Sequence, residues 1–200
     1  MSHPLFDAAL IELDIAVFDL ETTGLFPHRD RIIQVALVMV DEGEIGASWE
    51  QLVNPGTTHL PLDPVVVGLT GITDARLQGQ PGMDEVLPAF GTRVGTRVVA
   101  GHNVKVFDIP FVEAAERRHG VEVQTTYYVD TLKLMRRLHP ELHRHRLADC
   151  ASHYGLTFNE GDLHDALVDT ELTARVMLKQ FGELAERGVI TFMDMIEFLS

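Results

Sequence analysis

The stretch IAVFDLETTGL, residues 15–25, decides how the chain is read. Ile15 to Phe18 are continuously apolar, which suits a strand buried on both faces of a sheet. Asp19 and Glu21 stand at the end of that run, just before Thr22-Thr23-Gly24. Residues two apart on an extended strand project to the same side, so both carboxylates converge on one spot. Acids crowded against an apolar core repel, and each raises the other's pKa unless a cation neutralises them. Hard Mg²⁺ or Mn²⁺ suits such an oxygen cluster better than zinc does. The pair alone is equally compatible with solvated acids closing a strand into a turn, because Asp-x-Glu arises about once by chance in so acidic a chain.

Working outward, residues 32–40 and 47–53 read as two strands of an antiparallel hairpin around the acidic turn 41–46. Residues 54–73, rich in Pro, Gly and Thr, read as loop with a short helical turn. Apolar residues recur at helical spacing over 84–94, with Pro88 expected to confine or kink that helix. A short strand over 97–101 ends at His102, and Asp108 precedes a helix running to about His119 and stopped by Gly120. Residues 127–130 read as strand. Helices are expected over 131–138, 146–154, about 164–181, and at the end, 190–199. Three leading strands followed by alternating helix and strand predict an α/β fold with a mixed sheet and helices on its faces. Ligands in such folds gather where strands end and helices begin.

With 200 residues the chain is expected to form one domain. Its 16 Lys+Arg against 30 Asp+Glu give a formal net charge of −14. That balance argues against coating long nucleic acid or binding an anionic membrane, but not against a metal-dependent enzyme acting on phosphates. A single cysteine, Cys150, and a start without a basic n-region predict a reduced, cytoplasmic protein. The longest apolar stretch, 32–40, is too short to span a bilayer and contains Gln34.

Three further residues extend the acidic pair. Asp108 sits at a strand-to-helix junction, where a helix N-cap is the competing explanation. Asp169 lies one turn after Asp165 in an amphipathic helix and would otherwise be an ordinary exposed acid. His164 is five residues earlier, about 140° away around an ideal helix, so it must stand at or before the first turn to face the same site.

FDLETTGL (18–25), LTGIT (69–73), GHNVKVFDIPF (101–111) and HDALVDTELTARV (164–176) together resemble, in order, the DEDDh branch of the DnaQ-like 3′–5′ exonucleases. The resemblance implies a ribonuclease H-like fold with a central five-stranded mixed sheet. It implies an exonuclease domain over 13–182, with 1–12 an N-terminal extension and 183–200 a helical tail. It further implies two divalent ions, Mg²⁺ or Mn²⁺: Asp19 bridging them, Glu21 and Asp169 completing the tighter site, Asp108 holding the second. His164 would be the general base that takes a proton from the attacking water, a task for which an imidazole has a suitable pKa and carboxylates do not.

Thr22, Thr23, Gly24 and Leu25 would line the pocket for the terminal nucleotide, Leu25 lying against its base, with His102, Asn103 and Phe107 beside the substrate. Gly24 would permit a close approach of backbone to ligand. Phe107 and Phe111 are read either as stacking surface or, more readily, as core. The family commonly has two residues between His-Asn and Phe-Asp; Val104-Lys105-Val106 makes three here, which is expected to redirect the backbone at His102 and Asn103. The basic segment from Lys133 to Arg146 is the candidate contact for backbone phosphates. A zinc site there lacks a closed ligand set, since Cys150 is alone and His143 and His145 are only two apart.

The function so implied is removal of nucleoside monophosphates from 3′ ends, mainly of single-stranded DNA, in proofreading or repair, with a DNA polymerase or repair protein as partner and no membrane. A ribonuclease trimming RNA ends and a silent strand-end-binding module are the alternatives. The longer docking tail of many proofreading subunits is expected to be missing, since the chain stops roughly twenty residues past the last family helix.

Overall fold

In the computed structural model, which describes residues 4–159, 161 and 165–200, the opening stretch forms β1 (Ile15–Thr22). After a short N-terminal helix α1 (Pro4–Asp7), β1 is followed by β2 (Ile32–Asp41) and β3 (Glu44–Leu52). Further along come β4 (Val98–Gly101) and β5 (Tyr128–Asp130), giving the sheet order β3-β2-β1-β4-β5. β2 runs antiparallel to β1 and to β3, while β4 and β5 are parallel, so the five-stranded sheet is mixed as expected. The hairpin is tighter than the sequence suggests. Glu42 and Gly43 both have positive φ, 50° and 77°, the backbone of a two-residue turn matched to strand twist, and β3 therefore begins at Glu44.

Residues 54–73 are more ordered than their composition predicts. They contain α2 (Pro64–Thr70), capped by the Asp63 side chain and ended by Gly71 at φ 66°, and they lead into α3 (Asp74–Leu77). Buried Ile72 and Leu77 pack with Ile33 and Leu62 in a small core that tertiary contact, not local periodicity, creates. Next is α4 (Met83–Val94), which continues through Pro88. Its buried face of Val86, Leu87, Phe90 and Val94 is packed on the sheet and holds the helix together across the missing amide.

The remaining helices are α5 (Asp108–His119), α6 (Thr131–Leu138), α7 (Leu147–His153), α8 (Ala166–Glu186) and α9 (Phe192–Leu199). Alternation along β1 sorts them to the two faces. Ala16, Phe18 and Leu20 join Leu87, Phe90, Phe111 and Val112 of α4 and α5. Ile15 and Val17 join Leu134, Met177, Phe181 and Phe192 of α6, α8 and α9. The helix α8 runs unbroken through residue 182 to Glu186. The chain ends also meet: Leu10 N–H donates to the Ile190 carbonyl and Phe192 N–H to that of Ala8. Among the described residues no helix is long and apolar enough to cross a membrane.

Candidate active site

The site forms where β1 outruns its parallel neighbour. β4 pairs with β1 only from Ile15 to Val17, then turns away after Gly101. A Cβ at Gly101 would lie 2.8 Å from the Val104 side chain and 3.0 Å from the Phe18 carbonyl, so only glycine fits where β4 ends against β1. Asp19 and Glu21 occupy the freed end of β1, on the face that Ile15 and Val17 turn towards α8. The first turn of α8 supplies Asp169, and Asp165 caps that helix by accepting from the Leu167 and Val168 amides. From the other side, α5 begins with Asp108, 2% exposed. The N-cap position is Phe107, so Asp108 stands inside the helix rather than capping it. One strand and two helices thus bring together all four predicted carboxylates.

Their electrostatics follow from that crowding. Asp19 is pushed well above the usual carboxylate range by burial, then by Asp108, Glu21 and Asp169. Glu21 rises to about 8, through burial and then the charges of Asp169 and Asp165. Asp108 is raised by burial, with Asp130 and Glu21 adding to it, although its own amide and that of Leu20 hydrogen-bond to it. Asp108 Oδ1 is buried with no hydrogen-bond partner. Among the described residues no three His, Cys, Asp or Glu side chains stand in ready-made ligand geometry, and like charges without a cation between them repel. The donor set fits a hard divalent cation: carboxylate oxygens only, mutually repelling, one of them orphaned in the protein interior. His164 lies outside the described residues.

The candidate nucleotide pocket follows β1. Thr22 Oγ1 donates to the Gly24 carbonyl at 2.6 Å, and Thr23 exchanges hydrogen bonds with Arg31 across the loop. Gly24 serves a partner the sequence did not reveal: a Cβ there would lie 2.4 Å from Asp30 Oδ2. Asp30, 7% exposed, accepts from the Phe26 amide and the Arg29 guanidinium. Burial works against its ionisation, but those hydrogen bonds prevail and hold its pKa below the usual value. Closing the loop in this way leaves Leu25 73% exposed, with Phe26 beside it. Phe111 is fully buried in the core and Phe107 packs on it at a 5.2 Å ring separation. Phe111 is therefore core, and Phe107 is partly exposed at its edge.

The extra residue after His102-Asn103 is absorbed by a tight turn. Asn103 takes φ 68°, and the amides of Val106 and Phe107 both donate to its carbonyl. Asp130, a residue the motif reading passed over, holds this turn. Its two oxygens accept from the amides of Asn103 and Lys105, and Oδ1 also accepts from those of Leu132 and Lys133 at the start of α6. An acid ending a strand before a helix is a legible capping signal; its grip on a turn 25 to 27 residues away is not. His102 is held as well, Nδ1 against the Thr131 hydroxyl and Nε2 against the His145 carbonyl, both at 2.9 Å. Burial lowers its pKa, and because a carbonyl can only accept, Nε2–H donates to His145. That engagement makes His102 an anchor for the basic segment.

Beside this anchor a 560 Å³ groove is lined by His102, Asn103, Leu132, Arg136, Arg144 and Arg146. The histidines around it are occupied structurally: His145 bonds the His139 carbonyl, and the His139 ring lies between Glu141 and Glu183. Cys150 is buried, its thiol pushed up to about 12 by burial and by Asp149.

The exonuclease family model matches residues 16–177. The chain is 37% identical over 194 residues to the PolC-type DNA polymerase III of Staphylococcus haemolyticus, and 36% to that of Staphylococcus aureus. Both alignments cover 97% of this chain and 13% of the relative, so the chain spans about an eighth of those proteins' length. Among solved structures, exonuclease X in complex with 5′ overhanging duplex DNA superposes with a TM-score of 0.69 at 24% identity, over 93% of this chain and 99% of that one. Exonuclease I of E. coli with a dT13 oligonucleotide gives 0.77 at 21%, over 88% and 42%.

Proposed function

The chain belongs to the exonuclease family, and from that premise we propose that it removes nucleoside monophosphates from the 3′ ends of DNA, single strands above all, by metal-dependent hydrolysis. One observation carries the reading: Asp19, Glu21, Asp108 and Asp169 meet at the free end of β1, with a buried oxygen of Asp108 unsatisfied. Asp19, Glu21, Asp108 and Asp169 would hold two divalent ions, Mg²⁺ or Mn²⁺, with Glu21 and Asp169 serving the tighter position, Asp108 the second and Asp19 both. Ions held there would supply positive charge to the scissile phosphate and its leaving oxygen and would acidify water. His164 accepts the proton of the attacking water. Leu25, exposed at the tip of the loop that Asp30 braces, lies against the terminal base. The guanidinium groups of Arg136, Arg144 and Arg146 track the preceding phosphates.

The similarity to PolC-type polymerases supports a setting beside a DNA polymerase, in proofreading or repair, in the reducing cytoplasm. Oligonucleotides of DNA and RNA labelled at either end, incubated with Mg²⁺, Mn²⁺ or chelator, test this directly. Metal-dependent shortening from the 3′ end is expected, faster on DNA. Shortening from the 5′ end, or cleavage that persists in chelator, would overturn it; faster attack on RNA would reassign the substrate.

A further inference from the structure

A second concavity lies behind the 23–31 loop, on the far side of β2 from the α8 face. Its volume is 390 Å³, at the small end of ligand pockets and too small for a duplex. Arg31, Arg118 and His119 line it, Asn54 forms part of its wall, and Asp84 is the one acid among its lining residues. Arg31 and Arg118 are close enough for the charge of Arg31, after burial, to lower the Arg118 pKa. Neither is in a salt bridge among the described residues, whereas neighbouring Arg117 reaches Glu113. Two cations without a salt bridge thus share one hollow with a single acid, on a protein of net charge −14.

Each guanidinium already spends part of its fork on the loop. Arg31 Nη1 donates to the carbonyls of Arg29 and Asp30, and Arg118 Nη2 donates to that of Pro27. Five N–H donors per guanidinium leave others to meet a ligand, and these bonds hold both groups in place beforehand. The start of α4 also lines the hollow through Gly82, Met83 and Asp84. Gly82, at its N-cap, offers no side-chain acceptor to the first-turn amides.

We propose that this hollow is a phosphate-binding site, separate from the carboxylate cluster, which seats a phosphate monoester of a nucleotide or of a strand end. A planar guanidinium pair binds phosphate through two-pronged hydrogen bonds that a chloride ion cannot make. The site does not depend on the nuclease reading, since neither arginine touches the carboxylates.

Thermal melts in chelator, where the carboxylate cluster has no cation to recruit phosphate, test it. Inorganic phosphate, a deoxynucleoside monophosphate, and a short single strand with or without a 5′-phosphate are titrated at constant ionic strength. Saturable stabilisation of the wild type is expected, weakened at least tenfold in apparent Kd by Arg31→Gln with Arg118→Gln. Asp84→Asn, which removes the opposing charge and leaves both loop bonds, is expected to tighten binding several-fold. Arg117→Gln is expected to respond as wild type. Tighter response to the mononucleotide than to the strands assigns the site to free nucleotide, and the reverse order assigns it to a strand end. No saturable response of the wild type, or Asp84→Asn and the double variant both titrating like wild type, would overturn the proposal.

Discussion

Removing one charge from the carboxylate cluster should stabilise the metal-free protein, and the size of the gain should depend on pH. Glu21 is raised from 4.5 to about 8 by burial and by Asp169 and Asp165. A pKa higher in the folded than in the unfolded chain contributes stability that is fully present below about pH 4.5 and is lost as pH rises through about 8. At pH 7 the ionised unfolded chain is favoured by some 2.5 pH units relative to pH 4.5, or about 3 kcal/mol. Glu21→Gln keeps the shape and does not titrate. In chelator it should melt with the wild type near pH 4.5 and above it by about 6–12 °C at pH 7, given about 2–4 °C per kcal/mol for a chain of this length. Saturating Mn²⁺ should reverse the order, because the wild type gains a ligand the variant lacks. Differential scanning calorimetry at four pH values, with and without metal, reads both effects. A difference between the two proteins that stays constant from pH 4.5 to 8 would refute the crowding on which the site is built.

Asp108→Asn should lower turnover at least a hundredfold while raising the chelated melting temperature at pH 7, measured on the same preparations. His164→Ala should lose most turnover yet keep its Mn²⁺-induced melting shift; unchanged turnover would remove His164 from the base role. Asp130→Ala strips four main-chain amides of one acceptor and should cost about 3 kcal/mol in urea unfolding. A loss below about 1 kcal/mol would show that the turn holds itself. Gly24→Ala drives a methyl group against the Asp30 carboxylate and should raise KM for a single-stranded oligonucleotide several-fold with kcat less affected, measured by steady-state cleavage.

What could be read in advance was local. Burial of 15–18, the shared side of Asp19 and Glu21 and the helix after Asp108 depend on neighbours in the chain, and so does the amphipathic run that carries Asp169. The hairpin turn and the region 54–73 depart from those local rules because their order comes from positive-φ residues and from a small core joining Ile33 to Ile72. Only the folded loop shows that the Cβ position of Gly24 faces the Asp30 carboxylate. Asp130 carries no motif signal, and only the fold rests the turn at Asn103 on the same carboxylate that caps α6.

The sequence by itself determined the α/β class, the family, and the four carboxylates with their order along the chain, because periodicity and motif spacing survive without contacts. Tertiary structure alone decided that β1 outruns β4 and that α5 and α8 approach its free end from different sides of the sheet. It also decided which charges Glu21 feels, and that Arg31 and Arg118 share a hollow. Those outcomes belong to residues tens of positions apart, whose Coulomb energies and hydrogen bonds come into being only when packing removes the water between them.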